Sequence, residues 1–272
     1  NIKKTNSLFM FGGHQNQGGA QGGGQLVIGW YQRLPVITRT VFSACVITTL
    51  AVHINLISPH KLYLRPLQTM HHEYWRLITN FLFFGTLDLN FIFHMFFLVR
   101  YSKFLEQGSF RDRTADYFFL WVFCAVWLLI AHYALVYYDF LERGLFFLAP
   151  SLIFAVVYVW ARRNPNFSMT FLYLIHFNAP WLPWVFLIIG YLLDSVIIYD
   201  ALGIAVGHLY FFFSDVYPEF SGRRLLKTPS FLKRLFNQNI DEDPQNDQPV
   251  NPVNQQEEQQ QQEQQQEQEQ QQ

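Results

Sequence analysis

Cysteine is almost missing from this chain. Its 272 residues hold two, Cys45 and Cys124, each inside an apolar run. Two such thiols provide neither a disulfide framework nor a metal-ligand spacing, and they read as packing residues. Residues 1–29 lack an apolar stretch, so no cleavable secretory signal is expected there. From residue 237 onward the chain has no aromatic residue, no glycine, no Lys and no Arg. A segment of that composition cannot bury a core and is expected to be disordered. A hydrolytic serine also lacks its usual setting. Ser151 stands in Phe-Phe-Leu-Ala-Pro-Ser-Leu with no glycine beside it, whereas a nucleophile needs a base and an oxyanion hole.

What the chain does have is apolar and aromatic bulk: 51% hydrophobic residues, with 29 Phe, 14 Tyr and 7 Trp. That content would overfill a soluble core and suits lipid-facing helices with interfacial belts. Six apolar stretches run over 36–57, 90–104, 115–138, 145–161, 180–193 and 196–213. Several fall short of the roughly 20 residues a standard bilayer requires, so either the spans run past these edges or the membrane is locally thinned. The pattern predicts an all-α polytopic membrane protein with three parts. They are a flexible Gly/Gln-rich lead (1–29), a six-span body (30–236) and an acidic Gln-rich tail (237–272).

Charge is segregated. The tail holds nine of the 20 acids, which leaves 11 acids against 19 bases in residues 1–236, a formal balance of +8. With six spans, 15 of the 19 bases fall on one side and only Lys61, Arg65, Arg76 and Arg143 on the other. The positive-inside rule then places both termini in the cytosol. Residues 58–80 are too polar to cross and too apolar to float, so they read as a lumenal loop lying half in the interface.

Several constellations could carry function. In the loop, Trp75-Arg76 reads either as an interfacial anchor with a snorkelling Arg, or as a lock in which Arg76 pairs with headgroups or with Glu106. Asn90 and His94 sit one turn apart on the face of the second span, polar groups in hydrocarbon. Gly203 and Gly207 strip side chains from one stripe of the sixth span, so that another helix can pack closely. Asp200 lies one turn upstream of them, and an intramembrane acid is costly enough to mark a functional site. His71-His72-Glu73 lacks the spacing of a metal site; no metal or cofactor is expected.

These residues, taken in order, closely resemble one family. The matches are Trp75-Arg76, the run from Leu77 to Gly85, Gly108-Ser109-Phe110-Arg111, Arg113-Thr114-Ala115-Asp116, the run from Tyr158 to Pro165, the run from Gly203 to His208, and Leu226-Lys227-Thr228-Pro229-Ser230. Together they span roughly residues 29–236 and resemble Derlins, rhomboid-like pseudoproteases of the endoplasmic reticulum (ER). The resemblance implies a six-helix rhomboid-like fold and a non-catalytic role in ER-associated degradation, aiding retrotranslocation of misfolded lumenal and membrane proteins to the cytosol. It implies an ER ubiquitin-ligase complex and the AAA ATPase valosin-containing protein as partners, an oligomeric assembly, and no nucleic acid. Some Derlins dock that ATPase through a C-terminal motif containing glycine and an aromatic residue. The tail has neither, so a ligase partner is expected to bridge the two.

In active rhomboids the sixth span reads Ala-His-x-x-Gly-x-x-x-Gly. Aligning those glycines on Gly203 and Gly207 puts Asp200 where the catalytic histidine stands. His208 is no simple substitute, being rotated about 80° and displaced about 12 Å from position 200 on an ideal helix. The resemblance therefore implies no catalytic residue. Trp75, Arg76, Gly203 and Gly207 would serve as motif and packing positions, with Asn90, His94 and Asp200 facing substrate. Two rivals stay open: an active intramembrane protease using Ser151 and His208, and a passive substrate receptor.

Overall fold

The computed structural model describes residues 28–64, 72–138, 147–171, 175–192, 197–223, 225–236 and 238. Six helices of eleven residues or more dominate it: α1 (Val36–His53), α2 (Leu89–Phe104), α3 (Thr114–Tyr137), α4 (Ala149–Arg163), α5 (Leu182–Leu192) and α6 (Ile197–Phe211). Each falls within a few residues of an expected apolar stretch. The lead and the tail lie outside the described residues except for 28, 29 and 238.

Local chemistry sets the ends of these helices. Pro35 opens α1, where a missing N–H costs nothing. Asp88 caps α2 by accepting from the Phe91 N–H at 2.9 Å. Asn164, held out of helical geometry before Pro165, closes α4 by donating its side-chain amide to the Trp160 carbonyl. Gln238, assigned by sequence to the tail, is docked: its side-chain oxygen accepts from the Ala115 N–H at the start of α3.

Two departures from the expected architecture stand out. An antiparallel ribbon, β1 (Ser168–Phe171) with β2 (Ile175–Asn178), lies between α4 and α5 in the register Ser168↔Asn178 to Phe171↔Ile175. The structure is otherwise mostly helical, consistent with the all-α reading, and this ribbon is a small addition to it. Its base is fixed where Ala179 N–H donates to the Phe167 carbonyl at 2.8 Å. Second, α2 and α6 each run on into a π turn, Leu105–Ser109 and Phe212–Val216. Such turns widen the helix and re-aim side chains, and each here carries an acid that makes a long-range contact.

α4 is the central post. Every residue from Ser151 to Ala161 is buried, as expected for a helix that is apolar all round. α4 runs parallel to α6 with the most extensive helix–helix interface among the described residues. α2 packs on α4 through Tyr101–Trp160 and Phe104–Trp160, and on α5 through Phe97 and Phe186, stacked with ring centroids 3.9 Å apart. α1 and α3 pack onto this core through Cys45, Tyr117, Leu120, Cys124 and Leu128, and both are long and apolar enough to cross a membrane. Their outward faces keep large apolar side chains bare, among them Ile47 and Ile130.

The start of α1 and the ends of α2, α4 and α6 gather on one face. There the Glu106 carboxylate accepts from the backbone N–H groups of Ile37 and Thr38, both at 2.9 Å, and from the Thr38 hydroxyl at 2.7 Å. This is an anion set against the positive end of α1 from 68–69 residues away. On the same face Arg163 forms two 3.0 Å hydrogen bonds to Asp215 and lies 4.6 Å over the Phe110 ring.

Candidate functional site

Arg76 belongs to the opposite face. It is buried, with Nη1 donating to the carbonyls of His60 at 2.7 Å and Tyr63 at 2.8 Å, while Nε bonds the Glu73 carboxylate. The guanidinium also sits over the Tyr63 ring. A lock is therefore present, but its partners are loop carbonyls and Glu73. The alternative in which Arg76 pairs with Glu106 does not occur, because that carboxylate is held at the start of α1 by Ile37 and Thr38. Trp75 is half-exposed, with one long contact to the Lys61 carbonyl, as suits an interfacial anchor.

Gly203 and Gly207 face α4 at backbone range. A methyl group on Gly203 would overlap the Ser151 carbonyl oxygen and lie 2.7 Å from Phe154 Cβ. One on Gly207 would lie 2.8 Å from the Ala155 carbonyl oxygen and 3.0 Å from Tyr158 Cβ. The stripe read from sequence is thus occupied by a neighbouring backbone, and α4 is what it meets.

Asn90, His94 and Asp200 come together. They line one cleft, about wide enough for a single water at its core, with Phe93, Phe97, Phe154, Phe186, Ile189 and Gly190. Asp200 is 1% exposed, and its Oδ2 has no hydrogen-bond partner. His94 Nδ1 donates to the Asn90 carbonyl at 2.8 Å. Since a carbonyl can only accept, Nε2 is left as an acceptor in the neutral ring. Phe154 and Phe186 were missed by sequence reading, for their only signal was membership of apolar runs.

The proposed protease pair is not assembled. Ser151 is fully buried and its hydroxyl has no partner. His208 Nδ1 lies 2.7 Å from the Tyr158 hydroxyl. Tyr158 is seven residues beyond Ser151 on the same helix, about 10 Å along its axis. A base must reach its nucleophile at hydrogen-bond distance, and this one is engaged two turns away. No group of three or more His, Cys, Asp or Glu residues that could hold a metal occurs among the described residues.

A model of the Der1-like family matches residues 34–230. A probable derlin-2 homolog of Dictyostelium discoideum is 50% identical over 208 residues, covering 76% of this chain and 82% of that protein. Derlin-2.2 of Zea mays is 48% identical over 216 residues, covering 78% and 87%. Derlin-2.2 of Arabidopsis thaliana is 45% identical over 216 residues, covering 78% and 88%. The chain belongs to the Der1-like family, which supports a role in ER-associated degradation and fits a non-enzymatic protein.

Proposed function

We propose, with family membership as the premise, that this chain is a non-catalytic retrotranslocation factor of the ER membrane with both termini in the cytosol. The observation that carries the reading is the cleft. It is lined by Asp200, Asn90 and His94, which would meet a passing peptide, while the Ser151 hydroxyl has no hydrogen-bond partner and His208 is engaged with Tyr158. Polar segments of misfolded lumenal and membrane proteins would meet those groups on the way out.

Helix length supports a thinned bilayer. α4 has 15 residues, so its axis measures about 22 Å. The hydrocarbon core of a typical bilayer is about 30 Å thick. A thinner layer lowers the cost of moving unpaired backbone through lipid, several kcal/mol per group. The locked loop beside Arg76 and the half-exposed Trp75 would hold that thinned edge.

An ER ubiquitin-ligase complex is the expected partner on the cytosolic side, bridging to valosin-containing protein, and the chain would work as an oligomer. The test is the half-life of a misfolded ER reporter in cells lacking the chain. Prolonged life restored by re-expression supports the reading; an unchanged half-life refutes it. Reporter crosslinks confined to residues 58–80, and absent at Asn90 and Asp200, would favour the passive receptor instead.

A further inference from the structure

Asp200 is the sharpest unexplained group in the molecule. It is buried with an orphaned carboxylate oxygen, and among the described residues no Lys or Arg lines the cleft it faces. A carboxylate walled by apolar side chains is costly unless it is paired. Its polar neighbours do not offer a cation. His94 is committed through Nδ1 to the Asn90 carbonyl, leaving Nε2 as a further acceptor. The rest of the wall is largely aromatic, Phe97, Phe154 and Phe186 among it, and aromatic faces attract cations. The cleft thus presents acceptors and π-faces around a narrow apolar slot, which fits a strong donor carried on a long hydrocarbon stem.

We propose that this cleft receives the ammonium or guanidinium of a Lys or Arg set within the apolar segment of a misfolded membrane protein, with Asp200 as its counter-ion. This inference rests on the retrotranslocation reading and adds a substrate class to it. A basic residue stranded in a membrane segment is costly for the same reason as Asp200, so each group relieves the other. An acidic residue in the same place would be repelled.

The test uses the full chain in ER microsomes, with a photo-crosslinking amino acid at position 189, which lines the cleft. Three single-span reporters differ only in carrying Lys, Leu or Glu at mid-span. The Lys reporter should crosslink about threefold or more above the Leu reporter, a ratio in the range of membrane hydrogen-bond contacts. The Glu reporter should fall no higher than Leu. Asp200→Asn should abolish the Lys preference, and Asp200→Glu should keep it. Equal crosslinking of Lys and Leu reporters in the wild type overturns the proposal, as does a Lys preference that survives Asp200→Asn. Should Asp200→Asn fail to fold, the three-reporter comparison in the wild type decides alone. A misfolded lumenal reporter followed in parallel separates the two claims. If its degradation does not depend on the chain, the retrotranslocation reading fails; if it does while Lys and Leu crosslink equally, only the counter-ion fails.

Discussion

Replacing Gly203 by Ala adds one methyl group where α6 meets the α4 backbone most closely among the described glycines. The ideal position of that methyl overlaps the Ser151 carbonyl oxygen and lies 2.7 Å from Phe154 Cβ and 2.9 Å from the Ser151 carbonyl carbon. Two of these atoms are backbone, so no side-chain rotation relieves them and α6 must move off α4. Overpacking of this kind costs about 1–3 kcal/mol, occasionally more, and a rigid backbone clash belongs at the upper end. Alanine returns about 1 kcal/mol of helix propensity, so the net loss should be about 2 kcal/mol or more. Gly207→Ala meets its neighbours at 2.8–3.0 Å; the same arithmetic leaves a net loss of about 0–2 kcal/mol. Gly108→Ala has no atom within 4 Å and serves as the control. Thermal unfolding of the purified protein in detergent should rank Gly108→Ala level with or above wild type, then Gly207→Ala, then Gly203→Ala. A Gly203→Ala protein melting at or above wild type would refute the packing argument.

Ser151→Ala removes a buried hydroxyl that has no hydrogen-bond partner, so its melting temperature should equal or exceed that of wild type; a drop of several degrees would reveal a hidden partner. Glu106→Gln keeps an acceptor at the start of α1 but loses the charge facing two backbone N–H groups. It should cost about 1–2 kcal/mol, read by thermal unfolding, and an unchanged melting point would argue against the cap. Arg76→Lys cannot serve two carbonyls and Glu73 with one planar fork. Limited proteolysis between residues 54 and 75 should therefore quicken by several-fold, whereas wild-type resistance would show that the loop is held elsewhere.

Much of this was legible in the sequence because it is local. Long apolar runs set the six helices to within a few residues, and the Gly203–Gly207 stripe announced a close neighbour without naming α4. Asn90, His94 and Asp200 could be placed together because the rhomboid-like arrangement assigns them to one region. Contacts spanning many residues were not legible. Glu106 reaches Ile37 and Thr38 across 69 and 68 positions, and nothing in its own neighbourhood distinguishes that job from pairing with Arg76. Tyr158 and His208 meet across 50 residues, through the register of two parallel helices. The β1–β2 hairpin was hidden because four-residue strands leave too short a pattern to stand out between long helices.

The most direct test of the central claim is the half-life of a misfolded ER reporter in cells lacking this chain and re-expressing Ser151→Ala. The account predicts degradation as fast as with the wild-type chain and no serine-directed fluorophosphonate labelling of either protein. A reporter that stays stable with Ser151→Ala, together with labelling of the wild type that the substitution abolishes, would make the chain a protease and contradict the account.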